Sequence, residues 1–318
     1  MQSKPYVACA KPEFDTRRKQ FFEGFHAEQI KTSGATINTV YGGNRNGQPL
    51  LLLHGIPETH VLWHKVAPAL APDYFVVMTD LRGYGDSSKP PGGEDHFAYS
   101  KRAMAQDQVE VMKYLGFEKF ALVGHDRGGR AAHRLALDHP EALTKLVILD
   151  IVPTYLLYQH ITQQFATIFY HWFLLVQPPP FPETMVQNSA EYFLRCTLLW
   201  LGGSKLTDVL PDWISPAVFQ EYLRTFRQPD TIHAICENYR AAASIDLVHD
   251  RADSDKKIMC PLLVLWSEKG PFHRMYNVLQ TWQERAVQAE GKAMPTGHFL
   301  PEQMPHELLH EITTFLRA

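Results

Sequence analysis

Residues 120–130 of the chain read FALVGHDRGGR, an apolar run that enters a turn of small residues and continues into a helical pattern. The turn has the form Gly-x-Asp-x-Gly, with Asp126 between Gly124 and Gly128. Glycine is needed on both sides because a Cβ would collide with the neighbouring strand and helix where the backbone bends to expose the central side chain. A carboxylate in that position can displace a leaving group from a tetrahedral carbon and become an alkyl ester. The alternative interpretation is that Asp126 only caps the helix.

Strand-like and helical patterns alternate on both sides of this turn. Strands are predicted at 37–41, 49–53, 74–80, 120–124, 145–150 and 262–266, and helices at 62–70, 99–115 and 306–316. The alternation predicts an α/β fold with a mostly parallel, doubly wound sheet. It stops between 153 and 257, where the sequence is aromatic-rich and helical. We therefore predict a core domain made of 1–152 and 258–318, and an inserted helical cap domain made of 153–257.

Composition and charge disfavour several classes of protein. The 318 residues are 45% hydrophobic and 20% charged, and the formal net charge of -3 is too small for an electrostatic grip on nucleic acid. Cys9, Cys196, Cys236 and Cys260 are far apart, which predicts neither a disulfide framework nor a zinc site. No stretch resembles a signal peptide, and no apolar run reaches the roughly 18 residues of a membrane span. We expect a cytoplasmic protein without a membrane or nucleic-acid partner.

Candidates for the base and the orienting acid of ester hydrolysis follow the Asp126 turn in the sequence. His298, in the Thr-Gly-His segment near the end of the chain, is the candidate base that deprotonates water. Its tautomer has to be held by an acid. Asp150 and Glu268 each follow a predicted strand, and both positions stay open at this point.

The oxyanion formed during hydrolysis needs backbone donors close to Asp126. The residue after the nucleophile, Arg127, supplies one N–H, and Ile56 in the segment HGIP at 54–57 supplies the other, because Pro57 has none. No phosphate loop or cluster of metal ligands accompanies these motifs, so we expect no metal and no cofactor.

Two arginines beside the predicted nucleophile indicate the substrate. Arg127 and Arg130 are three residues apart at a helix start, where the helix dipole is already positive. Such placement is unfavourable unless anions lie close, and a planar carboxylate matches a guanidinium fork. We infer a substrate with a carboxylate next to the reacting carbon. The alternative is that Arg130 pairs with a structural acid such as Asp86 or Asp107.

Over nearly its whole length the sequence resembles the α/β-hydrolase superfamily, and within it the haloacetate (fluoroacetate) dehalogenases. The resemblance is carried by the motifs GHDRGGR at 124–130, LDIVPT at 149–154, YHW at 170–172, CENYR at 236–240 and GHFLPE at 297–302. Related epoxide hydrolases and haloalkane dehalogenases typically carry Trp where this chain has Arg127. The segments 202–203 and 266–272 depart from the family pattern.

The resemblance implies an enzyme that converts a 2-haloacetate, which is the small haloacid substrate, into glycolate and a halide ion. Through the LDIVPT match it favours Asp150 over Glu268 as the acid that orients His298. It makes Arg127 and Arg130 the carboxylate-binding residues, and it makes His171, Trp172 and Tyr239 the halide-binding residues. It also implies a homodimer and no cofactor.

Two other functions stay open from the sequence. The first is an epoxide hydrolase with the same Asp nucleophile, in which Tyr239 and a second tyrosine such as Tyr155, Tyr158 or Tyr192 would protonate the leaving alkoxide. The second is a binding protein of the same fold that holds a small acid without turnover.

Overall fold

The computed structural model describes residues 20–207 and 209–318, so Cys9 lies outside the described residues. Eight strands form one sheet in the order β1-β2-β4-β3-β5-β6-β7-β8. Their bounds are His26–Lys31 (β1), Thr36–Gly43 (β2), Gln48–Leu53 (β3), Tyr74–Thr79 (β4), Phe120–His125 (β5), Leu143–Leu149 (β6), Leu262–Ser267 (β7) and Ala289–Met294 (β8). Strands β3 to β8 run parallel, and β2 pairs antiparallel with both β1 and β4. The predicted mostly parallel sheet is confirmed.

Helices cover both faces of this sheet. The α-helices span Ala67–Leu70, Lys101–Tyr114, Asp126–Asp138, Thr154–Gln159, Gln163–Ile168, Tyr170–Leu175, Phe181–Asn188, Ala190–Leu201, Pro216–Phe226, Pro229–Ala243, Ile245–Ala252, Pro271–Met275, Val278–Gln283, Leu300–Gln303 and Pro305–Arg317, and the 3-10 helices span His60–Lys65, Phe97–Tyr99 and Pro140–Ala142. Every residue of β4, β5 and β7 is buried. Continuous apolar strands of this kind are expected where a parallel sheet is covered on both sides.

The structure differs from the sequence-based prediction at one helix and two strands. The helix predicted at 62–70 is a 3-10 helix followed by a single short α-helix, because Pro68 at the start of the second segment has no N–H to continue the first. Strands β1 and β8 were not predicted. Half of β8 is polar or glycine, and both strands lie at the edges of the sheet, where alternation is weakly specified.

Residues 153–257 contribute eight of these helices and, among the described residues, no strand. Several hydrogen bonds join the core to this insertion. Among them, Gln303 Nε2 donates to the Gly202 carbonyl at 3.0 Å, and Lys65 Nζ donates to the Trp213 carbonyl at 2.6 Å. The division into a core and a cap domain at residues 153 and 257 stays a prediction.

Two features of the described residues bear on the predicted partners. In 20–207 and 209–318, no helix is both long enough and apolar enough to cross a bilayer. In the same part of the chain, no three His, Cys, Asp or Glu side chains are grouped so that they would hold a metal ion.

The parallel strands bring the predicted catalytic residues to one edge of the sheet. Asp126 follows β5 and Asp150 follows β6, and these two strands are hydrogen-bonded neighbours. His54 follows β3, the neighbour of β5 on its other side. Because parallel strands end at the same edge, residues that are distant in sequence meet there.

Candidate active site

Asp126 lies at the sharp turn between β5 and the helix Asp126–Asp138. Its φ of 45° falls in the left-handed region, which a non-glycine residue rarely adopts and which often marks a functional site. A Cβ on Gly128 would come within 2.5 Å of the His54 carbonyl oxygen, so this position accepts only glycine. The Asp126 Oδ1 atom accepts a hydrogen bond from the Ile56 N–H at 3.1 Å. The turn therefore presents the carboxylate to the HGIP segment, as the motif predicts.

The surroundings of Asp126 keep its carboxylate ionised. Burial by itself raises the pKa of this carboxyl, but the positive charges of Arg127 and Arg130 outweigh it and hold the pKa well below the ordinary range. Only 8% of the residue is exposed. A buried carboxylate that stays charged and little hydrated is the form in which Asp acts as a nucleophile.

His298 and Asp150 form a buried pair. The His298 Nδ1 lies 2.6 Å from Asp150 Oδ2, and the Ser267 N–H donates to Asp150 Oδ1 at 2.8 Å. Asp150 has a φ of 49°, so it too occupies a strained turn at the end of a strand. Glu268, the alternative acid, is exposed. The geometry therefore favours Asp150 as the group that orients His298, and leaves Nε2 as the ring nitrogen that can receive a proton.

A second buried pair, His125 with Glu58, was not predicted from the sequence. The His125 Nδ1 lies 3.0 Å from Glu58 Oε2, and its Nε2 lies 2.9 Å from the His298 carbonyl oxygen. Glu58 also accepts the Gly55 N–H at 2.8 Å. The pair thus links the loop of the candidate base to the loop of the oxyanion donor. The sequence positions of the two residues could have indicated that they lie near the site, because His125 directly precedes the predicted nucleophile and Glu58 directly follows the HGIP segment.

This pair predicts a pH dependence of stability. Although burial opposes it, the Glu58 carboxylate raises the pKa of His125 from 6.5 to about 9. Because the folded pKa is the higher one, the stabilisation is fully present below pH 6.5 and is lost as the pH rises through about 9. It amounts to on the order of 3 kcal/mol. We expect the free energy of unfolding, measured in urea between pH 6.5 and 9.5, to fall less steeply in Glu58→Gln than in the parent.

Glu141→Gln provides the matched control. Glu141 faces His139 at 3.7 Å with 73% of its side chain exposed, so its removal should leave the pH profile unchanged. Equal pH slopes in the parent and Glu58→Gln would contradict the assignment of the charge to His125.

The two predicted arginines lie beside Asp126 with unused donors. Arg127 is fully buried, and its three guanidinium nitrogens have no hydrogen-bond partner among the described residues. Arg130 donates from Nη1 to the Val152 carbonyl at 3.1 Å and to Thr154 Oγ1 at 2.9 Å, while its Nε and Nη2 have no partner in the described part of the chain. Burial and the charge of Arg127 lower the pKa of Arg130 to about 10, so both groups are cationic at neutral pH.

The structural acids considered for Arg130 pair elsewhere. Asp107 binds Arg82 at 2.5 Å, and Asp86 binds Arg224 at 2.8 Å. The two arginines at the candidate site therefore face Asp126 with more positive charge than it can neutralise. Buried cations without a partner are costly, so this arrangement indicates a bound anion.

The three predicted halide-binding residues lie together against the arginines. The Arg127 Cζ is 3.6 Å from the Tyr239 ring centre, and it is 4.9 Å from the Trp172 ring centre. The Tyr239 ring centre lies 6.0 Å from that of His171 and 5.9 Å from that of Trp172. Burial, and then the charge of Arg127, lower the pKa of His171 to about 3, so this ring is neutral and carries one N–H.

The other tyrosines considered for ring opening are spread over the insertion. Tyr192 is 67% exposed, and Tyr155 lines a small cavity with Arg285, away from Asp126. Tyr158 lies closer, with its ring centre 5.7 Å from that of Trp172. Of the three, the structure brings only Tyr158 to the candidate site.

Comparison with known proteins identifies the class to which this fold and site belong. A family model of the alpha/beta hydrolase fold matches residues 48–305. The chain belongs to the α/β-hydrolase family, and it is a hydrolase of that superfamily.

The relatives of this chain include a dehalogenase and an epoxide hydrolase. The chain is 41% identical to a fluoroacetate dehalogenase from Burkholderia sp, over 93% of this chain and 95% of that protein. It is 31% identical to a soluble epoxide hydrolase from Corynebacterium sp. (strain C12), over 90% of this chain and 96% of that one. The crystal structure of an α/β hydrolase from Nostoc sp PCC 7120 matches with a TM-score of 0.88 and 54% identity, covering 92% of this chain and 98% of that one. The resemblance to fluoroacetate dehalogenases that the motifs indicated is confirmed.

Proposed function

We propose that this hydrolase converts a 2-haloacetate into glycolate and a halide ion through an ester on Asp126. The observation that carries the proposal is the fully buried guanidinium of Arg127, which has no hydrogen-bond partner among the described residues, beside an ionised Asp126. A site for a neutral substrate would leave these cations unsatisfied. A carboxylate one bond from the reacting carbon would pair with Arg127 and Arg130 and bring that carbon to Asp126.

The first half of the proposed reaction is a displacement. An Asp126 oxygen forms a bond to the halogen-bearing carbon with inversion, while the carbon–halogen bond breaks and the halide leaves with the electron pair. His171, Trp172 and Tyr239 offer N–H and O–H groups for the departing ion. Hydrogen bonds to charge are each worth about 1.5–3 kcal/mol, so three donors would lower the barrier substantially.

The second half hydrolyses the ester. His298, oriented by Asp150, takes a proton from water as the water oxygen attacks the carboxyl carbon of Asp126. The resulting oxyanion accepts the N–H groups of Ile56 and Arg127. As the tetrahedral intermediate collapses, the bond from the Asp126 carboxyl carbon to the glycolate oxygen breaks, and that oxygen takes up the proton held by His298. Glycolate leaves, and the water oxygen stays in the Asp126 carboxylate. The proposed reaction needs no metal and no cofactor.

Halide release from fluoroacetate, chloroacetate and bromoacetate tests the proposal directly. Release of one halide and one glycolate per acid consumed is the expected result. Saturable binding of these acids without any product would instead identify a binding protein of this fold.

The arginines predict a selectivity for acids. We expect Arg127→Gln to lower kcat/KM for chloroacetate about 100-fold, because two charge-assisted hydrogen bonds are lost. The value for the neutral analogue chloroacetamide should change far less. Arg285→Gln is the control, because Arg285 donates to the Ser254 carbonyl at 2.9 Å, outside the site. An equal loss for the acid and the amide would mean that Arg127 does not bind the carboxylate.

One observation favours an epoxide hydrolase as the second candidate. The hydroxyls of Tyr158 and Tyr239 are buried and without a partner among the described residues, and two tyrosine donors are what the ring-opening mechanism uses. Against it, Trp172 packs on both guanidinium groups rather than turning away from them. Diol formation from an epoxide that carries a carboxylate, with no halide release from chloroacetate, would establish this alternative.

The cytoplasmic location, which the sequence indicates, stays a prediction. The homodimer, which the resemblance implies, stays a prediction too.

A further inference from the structure

Tyr158 has a polar group that the proposed reaction does not use. Its hydroxyl is buried and has no hydrogen-bond partner among the described residues. Burial outweighs the charges of Arg127 and Arg130 and raises the pKa of this phenol to about 12. The hydroxyl therefore keeps its proton and can donate a hydrogen bond to an acceptor. A buried hydroxyl of this kind is normally hydrogen-bonded, so one without a partner among the described residues points to a ligand oxygen as its acceptor.

The helix Thr154–Gln159 directs Tyr158 toward the carboxylate site. Thr154 and Tyr158 are four residues apart, so their side chains lie on the same face of that helix. Thr154 Oγ1 accepts a hydrogen bond from Arg130 Nη1 at 2.9 Å, which places this face against the guanidinium. The two nitrogens of Arg130 without a partner belong to the same group.

Trp172 packs against both arginines and Tyr158. Its ring centre lies 4.9 Å from the Cζ of both Arg127 and Arg130, and 5.7 Å from the Tyr158 ring centre. One indole therefore contacts both cations and the tyrosine. The Tyr158 ring and the two guanidinium groups thus all lie against the same indole.

We propose that Tyr158 is a specificity-determining residue that donates its hydroxyl hydrogen to the substrate carboxylate, as a third recognition group beside Arg127 and Arg130. This inference rests on the proposed function for the identity of the acid. A carboxylate has enough lone pairs for two guanidinium groups and one phenol. Tyr158 would act on binding and not on the displacement, because the halogen and the carboxylate lie on different sides of the reacting carbon.

Tyr158→Phe removes only the oxygen and is compared with Tyr155→Phe on the same helix, whose side chain lines a different cavity. We expect KM for chloroacetate to rise about tenfold in Tyr158→Phe, with kcat changed less than about twofold, since uniform binding is lost. The dissociation constant of acetate, an unreactive acid, should rise by the same factor in calorimetry. Tyr155→Phe should match the parent in all three.

Two results would overturn the inference. One is an unchanged KM together with unchanged acetate affinity in Tyr158→Phe. The other is a lower kcat at constant KM, which would mean that Tyr158 acts on the leaving group. Acetate binding separates this inference from the proposed function: a weaker acetate complex supports the role of Tyr158 even if no haloacid is turned over, whereas active turnover with unaltered acetate affinity removes it alone.

Discussion

Asp126→Ala is expected to lower kcat for chloroacetate at least about 10⁴-fold, to the level at which residual turnover is hard to detect. The substitution removes the atom that forms the bond to carbon, and no other carboxylate occupies the turn between β5 and its helix. Acetate should still bind, because Arg127 and Arg130 remain. Halide release followed with an ion-selective electrode measures the effect, and acetate calorimetry shows that the variant is folded.

Isotope incorporation in the parent enzyme tests the same step independently. One turnover in oxygen-18 water with enzyme in excess should place the label in the peptide that contains Asp126, since water attacks the carboxyl carbon of the ester. Label found only in glycolate would mean that water attacks the substrate directly, and the covalent scheme would fail.

His298→Gln is expected to separate the two halves of the reaction. Displacement by Asp126 does not need the imidazole, so one halide per active site should be released in a burst. Hydrolysis loses its general base, and steady-state turnover should fall about 10³-fold. Mass spectrometry of the intact protein should then show one added carboxymethyl group, and peptide mapping should place it on the peptide that contains Asp126.

His310→Gln is the control for this variant, because His310 is exposed on the terminal helix Pro305–Arg317. It should show parent turnover and no stable adduct. Loss of the burst in His298→Gln would contradict the assignment, since it would place the histidine in the displacement step.

The fold and the order of the site residues could be predicted because they depend on local patterns. Strand, turn and helix around Asp126 follow from glycine positions and apolar periodicity, and parallel topology then brings Asp126 and Asp150 to one edge. The choice between Asp150 and Glu268 could not be made in this way. Both follow neighbouring strands, and it is the contact of Asp150 with His298, together with the burial of Asp150 and the exposure of Glu268, that separates them.

The contacts missed by the sequence analysis join segments that are far apart. Glu58 and His125 are 67 residues apart, and their pairing depends on how two loops meet at the end of the sheet. Tyr158 is one of several tyrosines in the insertion, and periodicity does not show which hydroxyl is left without a partner. The edge strands β1 and β8 escaped prediction because apolar burial specifies them weakly.

The contact between the insertion and the base has a consequence for engineering. The His298 N–H donates to the Leu201 carbonyl at 3.0 Å, and Gln303 holds the neighbouring Gly202 carbonyl. A chimera that exchanges residues 153–257 for those of a relative, in order to change the accepted halogen, would also replace the residues that hold the backbone of His298, the proposed base. Grafts that retain the native residues 199–203, at the end of the helix Ala190–Leu201, should therefore preserve turnover numbers better than grafts of the whole segment.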